Sequence, residues 1–383
     1  MYHKARPLLV PLILISLVLW TVDAKAESIF RITLGFDTRY DTNAGNEAEG
    51  EESRDMVSTL NPGAELTNTG KRYNLLLRYS MNARFFTNNP DFNDQTHSAS
   101  ADLKARLSDS TNFNIGDKVT YSPDAVEIDE LTRLNIQVSR TDILYNNFST
   151  GLSHSFGKKT SASIAYSNSI LSFKDPAFTD TRTDSLSVGL TRAISSKLSS
   201  TLSYGYTIQN FDNNATTIDI HSAELGLSYT PTRTISLNVS GGGVYTPETG
   251  DEYDWIARAD IVKAFQASSL TAGYSRGVTH SAGLSNELNV NNVFTIGYSA
   301  TLSKVWNMNL TGAYSKNTSK PSRTLDNEAY TVGLGAGYRY AEWLTFRFGY
   351  SHFQQWARGT SGNDLVRDMI FVGVQAVPYE MKF

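Results

Sequence analysis

The chain has 383 residues, enough for two or three ordinary globular domains or for one large sheet closed on itself. Its 20 Tyr, 18 Phe and 27 Gly, with only 19% charged residues, favour the second arrangement, because soluble domains average about a quarter charged residues. A hydrophobic fraction of 40% excludes a bundle of membrane helices, the absence of Cys excludes disulfides and thiolate sites, and a net charge of −4 argues against a nucleic-acid binder.

The N-terminal residues predict a cleaved secretory signal. A short basic start is followed by an apolar run over 8–20 and by the small-x-small triplet Ala-Lys-Ala, so cleavage is predicted between Ala26 and Glu27. The alternative is a single membrane anchor, but the apolar run is shorter than the roughly 20 residues that a spanning helix needs. We therefore divide the chain into a signal peptide at 1–26 and a mature domain at 27–383.

Alternation of apolar and polar residues begins directly after the predicted cleavage point. In the run 30–40, Phe30 and Leu34 share one parity, and Arg31 and Asp37 share the other. A period of two is typical of a strand with one apolar and one polar face. The pattern recurs to the end of the chain, and no stretch of the mature sequence shows a helical period with capping residues. The sequence therefore predicts an all-β protein.

Applied to the whole chain, this pattern predicts eighteen strands, with sixteen as the alternative count. Most are 10 to 14 residues long, whereas strands of soluble sheets have about five or six residues and a tilted strand that crosses a bilayer needs about 9–11. Short turns such as 157–160 alternate with long loops such as 41–53. The predicted spans are 29–40, 54–66, 72–86, 95–107, 112–122, 143–156, 161–171, 184–194, 198–209, 218–229, 234–246, 252–264, 269–279, 291–302, 306–315, 329–340, 344–353 and 366–383.

These features predict a transmembrane antiparallel β-barrel in the outer membrane of a Gram-negative bacterium. The wall must close, because hydrocarbon cannot satisfy the free edge of a sheet. A soluble propeller or sandwich would need shorter strands and a repeat of tens of residues, which this sequence lacks. The chain ends in Tyr379, Met381 and Phe383 at period two, which resembles the terminal signal read by the barrel-assembly machinery, although Pro378 interrupts the last strand.

The polar parity supplies candidates for a pore lining. Eighteen strands about 4.8 Å apart and tilted by about 40° give a diameter of roughly 35 Å, which leaves an aqueous lumen unless something fills it. Ten cations and five acids fall on this parity, and an excess of positive charge inside a low-dielectric wall favours anions. The alternative is that these side chains are solvated or paired with one another. The cations are Arg31, Arg39, Arg78, Arg84, Lys104, Arg106, Lys118, Arg258, Arg339 and Arg347, and the acids are Asp37, Glu65, Asp102, Asp254 and Asp260.

Two of the long connections are rich in carboxylates. The segments 41–53 and 124–130 contain clusters of Asp and Glu, but neither has the spacing of a calcium-binding loop. We expect a solvated acidic rim at the outer mouth and no bound metal. The longest connection is 123–142, and connections of that length are usually functional or disordered. Because its stretch 134–140 alternates, this connection either pairs with a neighbouring strand or folds inward as a constriction.

The sequence offers no recognisable catalytic site. The strand histidines His97, His154, His221 and His352 all fall on the apolar parity, and no serine lies opposite His97 as a nucleophile. The chain also contains no GxSxG, HExxH or P-loop motif. We therefore predict that the protein is not an enzyme and has no cofactor.

The first part of the chain resembles the β-barrel porin 2 group of outer-membrane proteins. Members of that group open with an RYDDN-like strand end, a PG in the second strand and a Y…L.YS…RY third strand. The matching residues here are 39–43, Pro62 with Gly63, and 77–80 with Arg84. The resemblance implies an association with exopolysaccharide production, and therefore a secretion conduit. A cation-lined polysaccharide exporter such as the alginate exporter is the nearest architectural analogue, although this chain lacks a dense arginine belt.

Together these features predict an outer-membrane channel that exports a polysaccharide. The alternatives are a passive porin for small solutes and a non-conducting structural or adhesive barrel. The expected partners are outer-membrane lipid and lipopolysaccharide, the barrel-assembly machinery and periplasmic polysaccharide-export components, with no nucleic acid.

Overall fold

A computed structural model of the chain describes residues 26–124, 128, 135–211, 216–247, 252–280, 287–360 and 362–383. The predicted signal peptide, apart from Ala26, lies outside the described residues. The first strand begins at Glu27, directly after the predicted cleavage point.

The described chain consists almost entirely of strands. A single turn of 3-10 helix, Pro90–Phe92, lies between the third and fourth of them. In the described residues, no helix is long and apolar enough to cross a membrane. The strands are β1 Glu27–Asp41, β2 Asp55–Thr69, β3 Tyr73–Phe86, β4 Asp94–Arg106, β5 Thr111–Ser122, β6 Ile143–Ser155, β7 Thr160–Phe173, β8 Thr181–Ala193, β9 Leu198–Phe211, β10 Thr216–Thr232, β11 Ile235–Thr246, β12 Glu252–Ala264, β13 Ser268–His280, β14 Leu288–Thr301, β15 Trp306–Lys320, β16 Asp326–Ala341, β17 Leu344–Ala357 and β18 Leu365–Lys382.

The strands form one closed antiparallel barrel. Each pairs with the next in the chain, and β18 pairs with β1 to complete an 18-stranded ring. The prediction of a barrel with eighteen strands is therefore confirmed. The largest difference between a predicted and an observed boundary is at the end of β15, which reaches Lys320 rather than residue 315. Residues 316–320 are all polar and show no apolar alternation, and it is backbone pairing with β14 that extends the strand.

Alternation assigns each side chain to the outer or the inner face of the wall. On the outer face, Leu190, Leu202 and Leu225 are 49%, 59% and 56% exposed. A continuous apolar surface of this kind requires a covering of lipid, and a closed antiparallel barrel with such a surface is the form that outer-membrane proteins take. The predicted strand histidines also lie on this face, and His97 and His221 bond to tyrosine hydroxyls at 2.9 and 2.8 Å.

The last strand accommodates its proline at an irregularity in the register. Ile32 pairs with Tyr379 and Leu34 with Ala376, so β18 has one extra residue at the position of Pro378. A bulge tolerates proline because the extra residue is not part of the ladder of hydrogen bonds. Tyr379, Met381 and Phe383 are 46%, 42% and 64% exposed. Their role as an assembly signal stays a prediction.

Buried side chains collect inside the barrel, at the ends of the strands that carry the long loops. Leu288, at the start of β14, packs against Phe211, Ile218 and Ile220 of β9 and β10. The pairing of β12 with β13 stops at Ala257, and Val278 near the end of β13 packs on the same cluster as Leu288. Buried side chains therefore occupy part of the lumen at this end.

Candidate functional site

The connection between β5 and β6 crosses the lumen. Asn135 donates a hydrogen bond to Ser315 at 3.4 Å and accepts one from Thr331 at 2.6 Å, and the backbone N–H of Gln137 donates to Gln355 at 3.2 Å. These partners lie on the inner face of β15, β16 and β17, and β15 is nine steps from β6 around the ring. Of the two sequence-based alternatives, inward folding is therefore the one observed. We call residues 135–142 the constriction segment.

The alternation within this segment explains its position. Ile136 and Val138 are only 2% and 4% exposed, and both belong to a buried cluster with Leu171 and Phe173 of β7. The backbone of Gln137, between them, bonds to the wall at β17: its N–H donates to Gln355 and its C=O accepts from the same side chain at 3.4 Å. One side of the segment is therefore apolar and packs on the wall at β6 and β7, whereas the other side is polar and contacts the wall at β15–β17.

Buried arginines and aspartates form an ionic cluster beside the segment. Arg84 donates to both carboxylate oxygens of Asp94 at 2.7 and 3.0 Å and to Asp124 at 2.9 Å. Arg367 makes a similar two-pronged contact with Asp41 at 3.0 and 2.7 Å. Both arginine side chains are at most 1% exposed. A buried charge is stable only when it is paired and hydrogen-bonded, so each of these three ion pairs fixes the position of its strand or loop.

The cluster holds both ends of the connection between β5 and β6. Asp124 lies two residues after β5, and Arg140 lies three residues before β6. Arg140 bonds to Asp94 and to the carbonyl oxygen of Phe92, and its guanidinium lies 4.9 Å from the centre of the Phe86 ring. The constriction segment is thus attached to β3 and β4 by charge and to the far wall by amide hydrogen bonds.

The environment of Asp124 keeps this carboxylate ionised. Burial alone would raise its pKa, but the positive charges of Arg367, Arg84, Arg39 and Arg140 outweigh burial and hold the pKa of Asp124 well below its usual value. The attachment of the connection therefore does not depend on the pH of a neutral or mildly acidic medium.

A cavity of about 480 Å³ adjoins the cluster. Its lining comes from the inner faces of β17, β18, β1, β2 and β3, and includes Arg39, Arg84, Arg347 and Asp37. We call it the wall cavity. Asn61 donates to Asp37 at 2.7 Å, and a nitrogen of Arg347 lies 3.9 Å from the same carboxylate. Three arginines and one aspartate thus line the cavity, and the sum of their charges is positive.

The structure places the predicted pore-lining cations on the inner face of their strands, as the register with neighbouring strands shows. Several are paired, as the alternative interpretation expected: Arg78 lies 2.8 Å from Glu65, and Arg258 lies 2.5 Å from Asp260. Their role in lining a conducting pore stays a prediction. The inner-face positions are Arg31, Arg39, Arg78, Arg84, Lys104, Arg106, Lys118, Arg258, Arg339 and Arg347.

The sequence missed part of this site. Arg140 and Arg367 are not among the predicted cations, and Asp41 and Asp124 were expected in a solvated acidic rim. Both aspartates are at most 1% exposed and face arginines, so that expectation is wrong for these two residues. The position of Asp41 could have been found from parity, because this residue continues the inner face of β1 for one residue beyond the predicted end of that strand at residue 40.

Comparisons with known proteins give a likeness only to solved structures. No family profile and no curated protein matches the chain. Similar structures are OccAB4 of Acinetobacter baumannii (11% identity, 94% of this chain, 99% of that chain, TM-score 0.45), the outer-membrane protein OpdK of Pseudomonas aeruginosa (10%, 94%, 99%, 0.47), and OccK2 (OpdF) of P. aeruginosa (10%, 94%, 98%, 0.48). The resemblance to the β-barrel porin 2 group stays a sequence-based interpretation.

Proposed function

We propose that this barrel is a diffusion porin for small hydrophilic solutes. The observation that carries this proposal is the constriction segment, which extends from β5 and β6 to the opposite wall and narrows the lumen. A closed wall with polar inner residues lets water through, and an inward segment limits the size of what passes with it.

Export of a polysaccharide, the main expectation from the sequence, receives no support from the fold. At the loop end, the lumen contains the constriction segment, the ionic cluster and the apolar cluster around Leu288. A wide polymer would have to displace Ile136 and Val138 from their buried cluster, together with the hydrogen bonds of Asn135. A passive porin for small solutes fits this geometry better.

Three of the described cations of the inner face have no close acidic partner. Among the described residues, Lys104, Arg106 and Arg339 have no acidic group within 4.0 Å, and all three lie near the ends of strands that carry short turns. Unpaired cations at a water-filled mouth attract anions over about a Debye length, which is roughly 8–10 Å in physiological salt. We therefore propose a mild anion preference.

Single-channel recording in planar bilayers tests the proposal. The refolded mature chain should conduct, and its reversal potential in a salt gradient should indicate anion preference. Replacing Lys104, Arg106 and Arg339 together by Gln should shift that potential toward the cation side, whereas Lys263→Gln on the outer face should leave it unchanged. Absence of current would support a non-conducting barrel and refute the proposal.

Liposome swelling distinguishes a small-solute porin from a polymer conduit. Monosaccharides should enter protein-containing liposomes rapidly, and the rate should fall steeply for oligosaccharides because the constriction segment limits the cross-section. Equal rates for both would contradict a narrow constriction and favour export of a polymer.

A further inference from the structure

The wall between β12 and β13 is split at the end that carries the long loops. The ladder that joins these strands ends at the pair Ala257 and Arg276. Both strands continue beyond that pair, and each stays paired with its other neighbour, β11 or β14. Within the described residues, however, 252–256 and 277–280 do not pair with each other. We call these two segments the fork. A barrel in a membrane avoids free strand edges, so the fork is a distinct feature of the wall.

Beyond the last pair, β13 is displaced toward the lumen relative to β12. Val278 has the outward parity of β13, yet it packs on the same buried cluster as Ile256, which has the inward parity of β12. Arg276, also of outward parity, contacts Asp254 on the inner face of β12. Contacts between opposite faces indicate that the two strands no longer lie in one sheet at the fork.

An ion pair fills the fork. Nη2 of Arg276 lies 2.5 Å from Oδ1 of Asp254, and the same guanidinium lies 4.4 Å from the centre of the Trp255 ring. Lys320, the last residue of β15, lies 2.9 Å from Oδ2 of the same carboxylate. The side chains of Arg276 and Asp254 are only 12% and 13% exposed. One carboxylate on β12 therefore holds cations of β13 and β15 and closes the fork.

The fork lies between an aromatic outer surface and an apolar inner one. On the outer face, Tyr253 and Trp255 are 79% and 53% exposed, and these residue types favour the boundary between membrane and water. On the lumen side, Ile256 and Val278 adjoin the buried cluster that includes Ile220. The ion pairs in the fork thus separate two apolar surfaces, one in contact with lipid and one in the lumen.

We propose that the fork is a lateral opening through which a neutral solute with an alkyl chain moves between the lumen and the outer leaflet. The two apolar surfaces keep the chain out of water on either side of the wall. The fork opens when Asp254 releases its cations, and within the described residues no ladder bond between β12 and β13 has to break there. This route goes beyond the proposed diffusion of hydrophilic solutes and does not depend on it.

Photolabelling from the bilayer tests the opening. A long-chain alcohol with a diazirine at the end of its chain is added to lipid nanodiscs that contain the mature barrel, and labelled residues are identified by mass spectrometry. Ile220 and Val244, which belong to the cluster in the lumen, should be labelled in addition to outer-face residues such as Leu225. Label on the outer face alone would overturn the proposal.

A cross-link across the fork separates the lateral route from entry through the ends of the barrel. The chain contains no cysteine, so Ile256→Cys and Val278→Cys provide the only thiols. Both side chains pack on one cluster, so a short reducible bis-methanethiosulfonate can join them. The linker should remove the label from Ile220 and Val244, and reduction should restore it. Label that persists in the cross-linked barrel would overturn the lateral route.

Substitution of the carboxylate tests the closing contact. Asp254→Asn should increase the label in the lumen severalfold, because Arg276 and Lys320 lose the charge that holds them. The matched control is Asp260→Asn, at an aspartate of the same face and strand that lies within the ladder and 2.5 Å from Arg258. This control should leave the label unchanged. Equal label in the wild-type chain and Asp254→Asn would contradict the closing role of Asp254.

Two further readouts keep these results separate from folding and from the porin function. Heat-modifiability gels show whether each variant is a folded barrel. The single-channel current should persist in the cross-linked barrel, because water and ions pass along the barrel axis. A wild-type barrel that conducts without label in the lumen would refute the lateral opening and leave the porin function intact, whereas label without current would refute the porin function alone.

Discussion

Neutralising Asp124 should release the connection between β5 and β6 from the wall. The substitution Asp124→Asn keeps the size of the side chain but removes a carboxylate that lies 2.9 Å from Arg84, 3.6 Å from Arg367 and 4.0 Å from Arg140. The side chain is 1% exposed, so solvent screens these interactions weakly. Loss of one partner from a buried ionic group typically costs about 3–5 kcal/mol.

The expected cost is at the lower end of that range. Arg84 and Arg367 keep their two-pronged contacts with Asp94 and Asp41, so neither arginine loses its main partner. About 3 kcal/mol corresponds to roughly a 10²-fold increase in the population of the detached state, since about 1.4 kcal/mol is a factor of ten. Brief openings of larger conductance should become more frequent by that factor.

The assay is single-channel recording of the wild-type chain and the variant under identical salt and voltage. Limited proteolysis within 123–142 provides a second readout, because a detached segment is cut faster. The control is Asp117→Asn, the same substitution at an aspartate on the outer face of β5, which accepts a hydrogen bond from Asn146 at 2.7 Å. Unchanged event frequency and unchanged cleavage in Asp124→Asn would refute the role of the cluster in holding the segment.

Three further predictions follow from the same structure. The native pKa of Asp124 lies below its unfolded value of about 3.9, so the contribution of this carboxylate to stability is complete above about pH 5 and is lost only as the pH falls through the lowered native pKa. The frequency of brief openings of larger conductance should therefore stay constant from pH 8 to 5. A rise in that frequency near pH 6 would contradict this. Gly242→Ala should lower the unfolding temperature on heat-modifiability gels because its Cβ would lie 1.9 Å from a carbonyl oxygen of β10, whereas Gly241→Ala, whose Cβ would meet nothing closer than 3.9 Å, should not. Leu186→Arg, on the outer face, should destabilise the barrel in bilayers by about 2–4 kcal/mol, and Ser187→Arg, on the inner face, by much less; equal effects in denaturant titrations would argue against the assignment of faces.

Most of the wall was predictable because its physics is local. Lipid lies on one side and water on the other, so a strand such as 72–86 must alternate, and the alternation is visible in any short window of the sequence. The same parity placed Arg31, Arg78 and Arg347 on the inner face without knowledge of their neighbours. Strand length and the alternation of short and long connections then indicated a closed barrel in a membrane.

The sequence could not predict which inner charges pair, because the pairing depends on the closure of the barrel and on the register of its strands. Arg367 bonds to Asp41, which is 326 residues away in the chain. Only the pairing of β1 with β18, with its bulge near Pro378, brings the two side chains to the same height along the barrel axis. Parity cannot show which cation faces which acid when each strand is free to slide against the next.

The constriction segment shows most clearly which features the sequence predicts and which features only the tertiary structure decides. Its alternation was readable at 134–140, but an amphipathic extended segment can pair with a strand edge or lie across a lumen, and both bury the same residues. Only the assembled wall settles the choice, because closure leaves no free edge for pairing and presents the apolar cluster of β6 and β7 on one side and the inner face of β15–β17 on the other. The amino-acid sequence alone thus determined the wall and its two faces, and the tertiary structure decided what occupies the interior.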